Sequence, residues 1–204
     1  MEKLRYKEDE QFKIIFKNFL LMLYRRNIFD KNEVTELYNN NIERLLDNME
    51  MNELILEINT KKIQLYILNN KISSLNTSII NFLENNEELE TYKFILVQEF
   101  NKKFLSQIKD YNNVELFFLY EFKEDIISKI FIPKHTLLNN EEKDEILSIY
   151  NKNELPKLGD TDKMVRYYGG KVGDVFRIER NEIICGTYTS YRYVINGDLD
   201  ILFI

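Results

Sequence analysis

Apolar residues recur three and four apart in the first part of the chain and at alternate positions soon after; the two periods predict helices followed by strands. Phe12, Ile15, Phe16, Phe19, Leu20 and Leu23 fall on one helical stripe. Asp30 with Glu33 three residues on has the form of a capping box. The helix it opens would bury Val34, Leu37, Tyr38, Ile42 and Leu45. Leu54, Leu56 and Ile58 then alternate with other residues, as do Ile63, Leu65 and Ile67, and Asn59-Thr60-Lys61 between them reads as a hairpin turn. A helix is predicted near 76–86 (Ile79, Ile80, Phe82, Leu83), a strand over 92–98, a short helix over 101–109 and a very apolar strand over Val114–Tyr120. This order gives an α/β layer of about four strands, covered by helices on at least one side.

The later sequence has different punctuation. All six glycines lie between Gly159 and Gly197, and both prolines, Pro133 and Pro156, lie beyond residue 130. The boundary is placed near Ile130–His135. Asn139 with Glu142 caps a helix to about Tyr150, and Leu155-Pro156 breaks the chain. A short helix begins near Thr161, with Asp160 or Thr161 as its cap, and stops at Gly169-Gly170. Lys171–Asp174 is a turn. Val175–Arg180 and Tyr188–Ile195 read as an antiparallel hairpin, with Phe176 and Ile178 on one face. The fold class is therefore α+β: an N-terminal α/β domain over 1–130 and a small α+β module over 131–204. The module is near the lower size for independent folding, so a partner would add to its stability.

Charge and composition narrow the chemistry. The net charge is −6, so the whole chain is no general polyanion binder. Residues 131–195 carry ten basic and ten acidic residues and are neutral. One cysteine, Cys185, and one histidine, His135, exclude an internal disulfide and a Cys/His zinc cluster. No apolar run is long enough for a membrane helix, and Met1–Arg5 lacks the apolar core of a signal peptide. The expectation is an intracellular protein. Absent Ala and Trp with abundant Asn, Ile and Lys read as the codon bias of an AT-rich genome.

Three catalytic patterns can be weighed. Glu121-Phe122-Lys123 after an apolar strand is an E-x-K triplet, which with Asp110 would suit a Mg²⁺-dependent nuclease. Asp110 follows Lys109, however, where that class has proline, and the triplet arises easily by chance. Gly169-Gly170-Lys171-Val172-Gly173 offers backbone N–H groups but lacks the phosphate-loop pattern and ends a helix where such a loop opens one. Cys185 and His135 have no second histidine to orient them, and His135 reads as a structural hydrogen-bonding residue in a connector. The remaining signal is Tyr and Arg: Tyr167, Tyr168, Tyr188, Tyr191 and Tyr193 with Arg166, Arg177, Arg180 and Arg192, a composition shared by interfaces and by ordinary solvated faces.

Ordered blocks carry a resemblance. They are Ile132-Pro133-Lys134-His135, Leu155-Pro156-Lys157-Leu158, Asp162 through Gly169, Lys171 through Arg180, and Tyr191-Arg192-Tyr193-Val194-Ile195. They closely resemble the C-terminal assembly module of the fifth shared subunit of eukaryotic-type DNA-dependent RNA polymerases, a family with an archaeal homologue. Lys163 stands where that family has proline, and Asn196–Ile204 extends past its usual end. The resemblance implies a non-catalytic subunit with no cofactor and no metal. Its module, 131–204, would dock on the largest subunit, and its first 130 residues would form a jaw beside downstream double-stranded DNA. The subunit-interface residues it implies are Pro133, His135, Leu155, Pro156, Arg166, Tyr167, Gly169, Gly173, Asp174, Arg177, Arg180, Tyr191 and Arg192. Lys102 and Lys103 occupy the place of the DNA-contacting loop. A jaw is absent from the archaeal form, so its presence with this composition points to a large DNA virus. Virion and host cytoplasm are then the expected locations, or the nucleus if the source is cellular. The alternatives are the nuclease using Asp110, Glu121 and Lys123, and a free-standing adaptor.

Overall fold

A computed structural model describes residues 2–47, 51–84, 92–109, 111, 113–182 and 186–198. Its chain contacts form two compact units, Met1–Glu124 and Asp125–Ile204.

In the first unit, α1 (Glu2–Arg25) and α2 (Lys31–Asp47) precede the hairpin of β1 (Met51–Ile58) and β2 (Lys61–Ile72), after which come α3 (Thr77–Glu84), β3 (Tyr92–Phe100), α4 (Lys102–Ile108) and β4 (Val114–Phe118). The capping box of α2 forms as its sequence requires: the Asp30 N–H donates to Glu33 Oε2 at 2.7 Å and the Glu33 N–H to Asp30 Oδ1 at 2.8 Å. The sheet order is β1-β2-β3-β4, with β1 antiparallel to β2 and the other pairs parallel. The hairpin turns at Asn59, whose φ is 55°, a conformation that Asn tolerates better than most residues.

Parallel strands are covered on both faces, and β2 shows it. Ile63, Leu65 and Ile67 are buried, but so are Gln64 and Tyr66 between them. On one face Phe19 of α1 meets Phe94 of β3 edge-on at 5.3 Å, and on the other Tyr66 meets Phe82 of α3 at 5.0 Å. The apolar strand predicted to reach Tyr120 ends at Phe118. Leu119–Phe122 instead form a 3₁₀ turn, which the Glu121 carboxylate fixes by accepting the Phe118 N–H at 2.8 Å.

The second unit contains β5 (Lys134–Leu137), α5 (Asn140–Ile149), β6 (Lys157–Gly159), α6 (Lys163–Tyr168), β7 (Val175–Glu182) and β8 (Gly186–Ile195). The predicted hairpin, β7 with β8, is the centre of a four-stranded sheet of order β5-β7-β8-β6. β5 and β6 add to what periodicity predicts: four and three residues long, they are too short to carry a period. Leu158, Val165, Phe176, Ile178 and Val194 form the core, with Leu137 and Tyr168 against it. The cap of α6 is neither Asp160 nor Thr161 but Asp162, whose Oδ1 accepts the Met164 N–H at 2.8 Å. Asp160 is occupied elsewhere, its Oδ1 accepting the Gly197 N–H at 2.8 Å. α6 ends at Gly169 with φ 70°, the left-handed cap that glycine adopts at little cost. Gly170 is needed for another reason: a Cβ there would lie 2.7 Å from Phe176 Cε2.

Candidate functional site

The register of the second sheet sorts its polar residues by face. His135 lies opposite Ile178, Arg192 opposite Phe176 and Tyr188 opposite Arg180. Directly opposed residues share a face, so these residues lie on the face of the core. Lys134, Glu179, Arg177 and Tyr191 lie on the other.

Several candidate residues are committed to the fold. Leu155 is buried. The Pro156 carbonyl accepts the Tyr193 N–H at 2.9 Å. Gly173, at φ 99°, donates its N–H to the Val194 carbonyl at 3.0 Å, and Asp174 Oδ2 accepts the Lys171 N–H at 2.8 Å. Gly169 and Gly170 donate to the carbonyls of Arg166 and Val165. The glycines that suggested a phosphate loop thus spend their N–H groups inside the fold.

His135 is in β5, not in a connector, and it is half-buried. Its Nδ1 lies 2.8 Å from the Pro133 carbonyl oxygen. A carbonyl can only accept, so Nδ1 carries the proton. Burial holds the imidazole pKa below its ordinary value, and the charges of Arg192 and Arg180 push the same way; the Pro133 hydrogen bond and Asp162 oppose them. Lys134 Nζ pairs with Glu179 Oε2 at 2.9 Å, and this hydrogen bond lowers the Glu179 pKa. Arg177 Nε lies 3.3 Å from Glu179 Oε1.

Arg166, Tyr167, Tyr191 and Arg192 are half-buried and Arg180 is exposed. Arg180 and Arg192 lie on one face of the sheet, Arg177 and Tyr191 on the other, so the candidates do not make one patch. Two further apolar residues of this unit, which pattern alone leaves in a connector, are open: Ile130, fully exposed, and Phe131, 76% exposed. Their position in an apolar run without periodicity was the available signal. Cys185 and residues 199–204 of the tail lie outside the described residues.

In the first unit the carboxyl ends of β2 and β3 lie side by side, Ile72 opposite Phe100. Asn101 follows, accepting the Phe104 N–H on its Oδ1 at 2.9 Å and so opening α4 with Lys102 and Lys103. Both lysines are exposed. Lys71, at the end of β2, pairs with Glu99 of β3 at 2.9 Å. Phe100 stacks on Phe118 at 4.0 Å and Phe118 on Tyr120 at 5.0 Å, leaving Tyr120 47% exposed. Lys71 and Tyr120 therefore join Lys102 and Lys103 along one edge. Periodicity misses them because it ends the strands at the wrong residues. As a nuclease centre the neighbourhood is poor: Glu121 caps the 3₁₀ turn, Lys123 is exposed beyond it, and Asp110 lies outside the described residues.

Comparison with known proteins agrees with the resemblance. The family model described as RNA polymerase Rpb5, C-terminal domain, matches residues 124–194. The chain is 29% identical over 197 residues to the DNA-directed RNA polymerase subunit 5 of Acanthamoeba polyphaga mimivirus, covering 92% of this chain and 93% of the relative. It is 38% identical over 72 residues to the DNA-directed RNA polymerase subunit Rpo5 of Methanocaldococcus jannaschii, covering 34% of this chain and 92% of that one. With the rpabc1 subunit of DNA-directed RNA polymerases I, II and III of Dictyostelium discoideum it shares 34% over 96 residues, 46% of each chain. The relatives give the nuclease alternative no support.

Proposed function

This chain belongs to the RNA polymerase Rpb5 family and is a structural, non-catalytic subunit of a multisubunit DNA-directed RNA polymerase; from that premise we propose that its second unit docks on the largest subunit while its first unit is a jaw beside downstream DNA. The observation that carries the proposal is that the family match, residues 124–194, falls on the second unit. That unit has a small core and leaves Tyr, Arg and two large apolar side chains accessible. Rigid aromatic area and planar guanidinium forks suit a protein surface.

The jaw reading rests on the edge that holds Lys71, Lys102, Lys103 and Tyr120. Backbone contacts by lysine position a duplex without reading its sequence, which fits a subunit that must accept any template. The first unit is net acidic, so the contact would be weak and local, made in the assembled polymerase. The mimivirus relative spans both units, which favours a viral source; virion and host cytoplasm are then the places to look.

Affinity purification from native material tests this. The chain should bring down the two largest polymerase subunits and migrate with transcription activity on a gradient. Migration alone, as a free adaptor would show, overturns the docking reading.

A further inference from the structure

The hydrogen bonds of β8 show which way its backbone points. The Val194 N–H donates to the Asp174 carbonyl just before β7, at 2.8 Å, while the Tyr193 N–H donates to Pro156 at 2.9 Å and the Ile195 carbonyl accepts the Asp160 N–H at 2.9 Å. Even-numbered residues of β8 therefore bond toward β7, and odd-numbered ones bond outward. β6 covers the outward side only from Tyr193 to Ile195. Before Pro156 the chain turns away, with the Glu154 and Leu155 N–H groups bonded back to the Asn151 carbonyl. The outward N–H and C=O groups of Thr189 and Tyr191 have no strand beside them among the described residues.

Proteins blunt such edges with lysine, proline, bulges or short strands. The opposite edge of this sheet, β5, is four residues long and carries Lys134, with Pro133 just before it. The open stretch of β8 reads Tyr188-Thr189-Ser190-Tyr191, rich in strand formers and in unbroken register with β7. Tyr188 is 56% exposed.

We propose that the Thr189–Tyr191 edge of β8 is completed by an extended segment of another polymerase subunit, which adds a fifth strand in line with β6. The segment bears a carboxylate, because Arg180 and Arg192 flank the gap on one face, while on the other the Glu179 carboxylate opposite Thr189 is already paired with Lys134 and Arg177, and Lys157 lies 5.2 Å from the centroid of the Tyr193 ring. Main-chain pairing supplies the affinity and these charges the choice of partner. The inference rests on the docking reading and names the part of the unit that does the docking.

Hydrogen exchange on the isolated full chain and on the purified polymerase tests it. The Thr189 and Tyr191 amides should exchange at least tenfold more slowly in the assembly, while the Ser190 amide, bonded to β7, is slow in both. Thr189→Pro should keep the fold, since that N–H points away from β7, and should cut recovery with the large subunits at least tenfold. Tyr191→Lys, which charges the edge without touching the backbone, should do the same if the proline variant unfolds. Unchanged exchange in the assembly overturns the proposal. So does protection already present in the isolated chain and lost on deleting residues 199–204, which would make the chain's own tail the fifth strand. Copurification without new protection sinks this inference alone; failure to copurify sinks the docking reading.

Discussion

In the first unit even a lysine is buried: Lys93 is 5% exposed, and its Nζ donates to the carbonyls of Phe82 and Leu83 at 2.8 Å, binding the end of α3 to the sheet. In the second unit a whole helix, α5, buries none of its residues, and Ile130 and Phe131 stand open. The first unit buries most of its large apolar side chains in its core. The second has a smaller core and leaves Ile130, Phe131 and Tyr188 exposed. A self-contained core is constrained mainly by volume and pattern, which many sequences meet. A docked surface must also match its partner. The archaeal relative aligns over 72 residues and is too short to include a counterpart of the first unit.

The largest effect should come from the small core. Phe176 is fully buried in β7. Phe176→Ala should cost about 3–5 kcal/mol, enough to unfold the second unit while the first keeps its own transition in chemical denaturation. A single shared loss would show that the two units are not independently stable. Gly170→Ala probes the same core by overpacking, since its Cβ would press on Phe176 and also lie 3.1 Å from Val165 Cγ1. A loss of about 1–3 kcal/mol is expected, again confined to the second unit.

How far the sequence could reveal this molecule follows from element length. α1 and α2 are legible because their stripes run for several turns and Asp30 and Glu33 announce a start. β7 is legible from Phe176 and Ile178. Strands of three or four residues, β5 and β6, have no period, and both pair with residues far away in the chain, Lys134 with Glu179 and Leu158 with Val194. The cap of α6 is easily misplaced because Asp160, Thr161 and Asp162 are all able caps. A tertiary contact decides among them: Asp160 is drawn to Gly197. The candidate site shows the same limit. The glycines and Leu155 stand out in the family blocks, and in the structure they hold the fold. The stretch of β8 with no strand beside it among the described residues could not be read at all, because which side of a strand is paired is a property of the whole sheet.

A pH profile sharpens the contrast at intermediate size. Folding holds His135 below its ordinary pKa, chiefly by burial. As pH falls below about 6.5, the unfolded chain takes up a proton before the folded one does. Stability of the second unit should therefore decline as pH drops through that window, until the folded-state pKa is passed. Glu179, lowered chiefly by its hydrogen bond from Lys134, acts in a separate window: its contribution is present above the ordinary glutamate value and is lost below it. His135→Gln should flatten the dependence of melting temperature on pH between about 5.5 and about 7.5, a range set about the histidine value. A slope that persists in the variant would assign the effect to another group.

The smallest effect belongs to the exposed edge of the first unit. Lys102→Ala with Lys103→Ala should leave both unfolding transitions unchanged, because neither side chain is buried. At positions like these a surface charge contributes little to folding. In the assembled polymerase the pair would act through displaced counterions, each phosphate contact adding about 0.9 to the slope of log affinity against log salt. Losing both should reduce that slope by about 1.8 for duplex DNA of any sequence. Lys71→Ala is the informative companion. Removing it frees the Glu99 carboxylate beside the same edge, so binding should weaken through repulsion as well as through the lost cation. An unchanged slope in the double variant would remove DNA from the first unit's role and leave this edge without a partner.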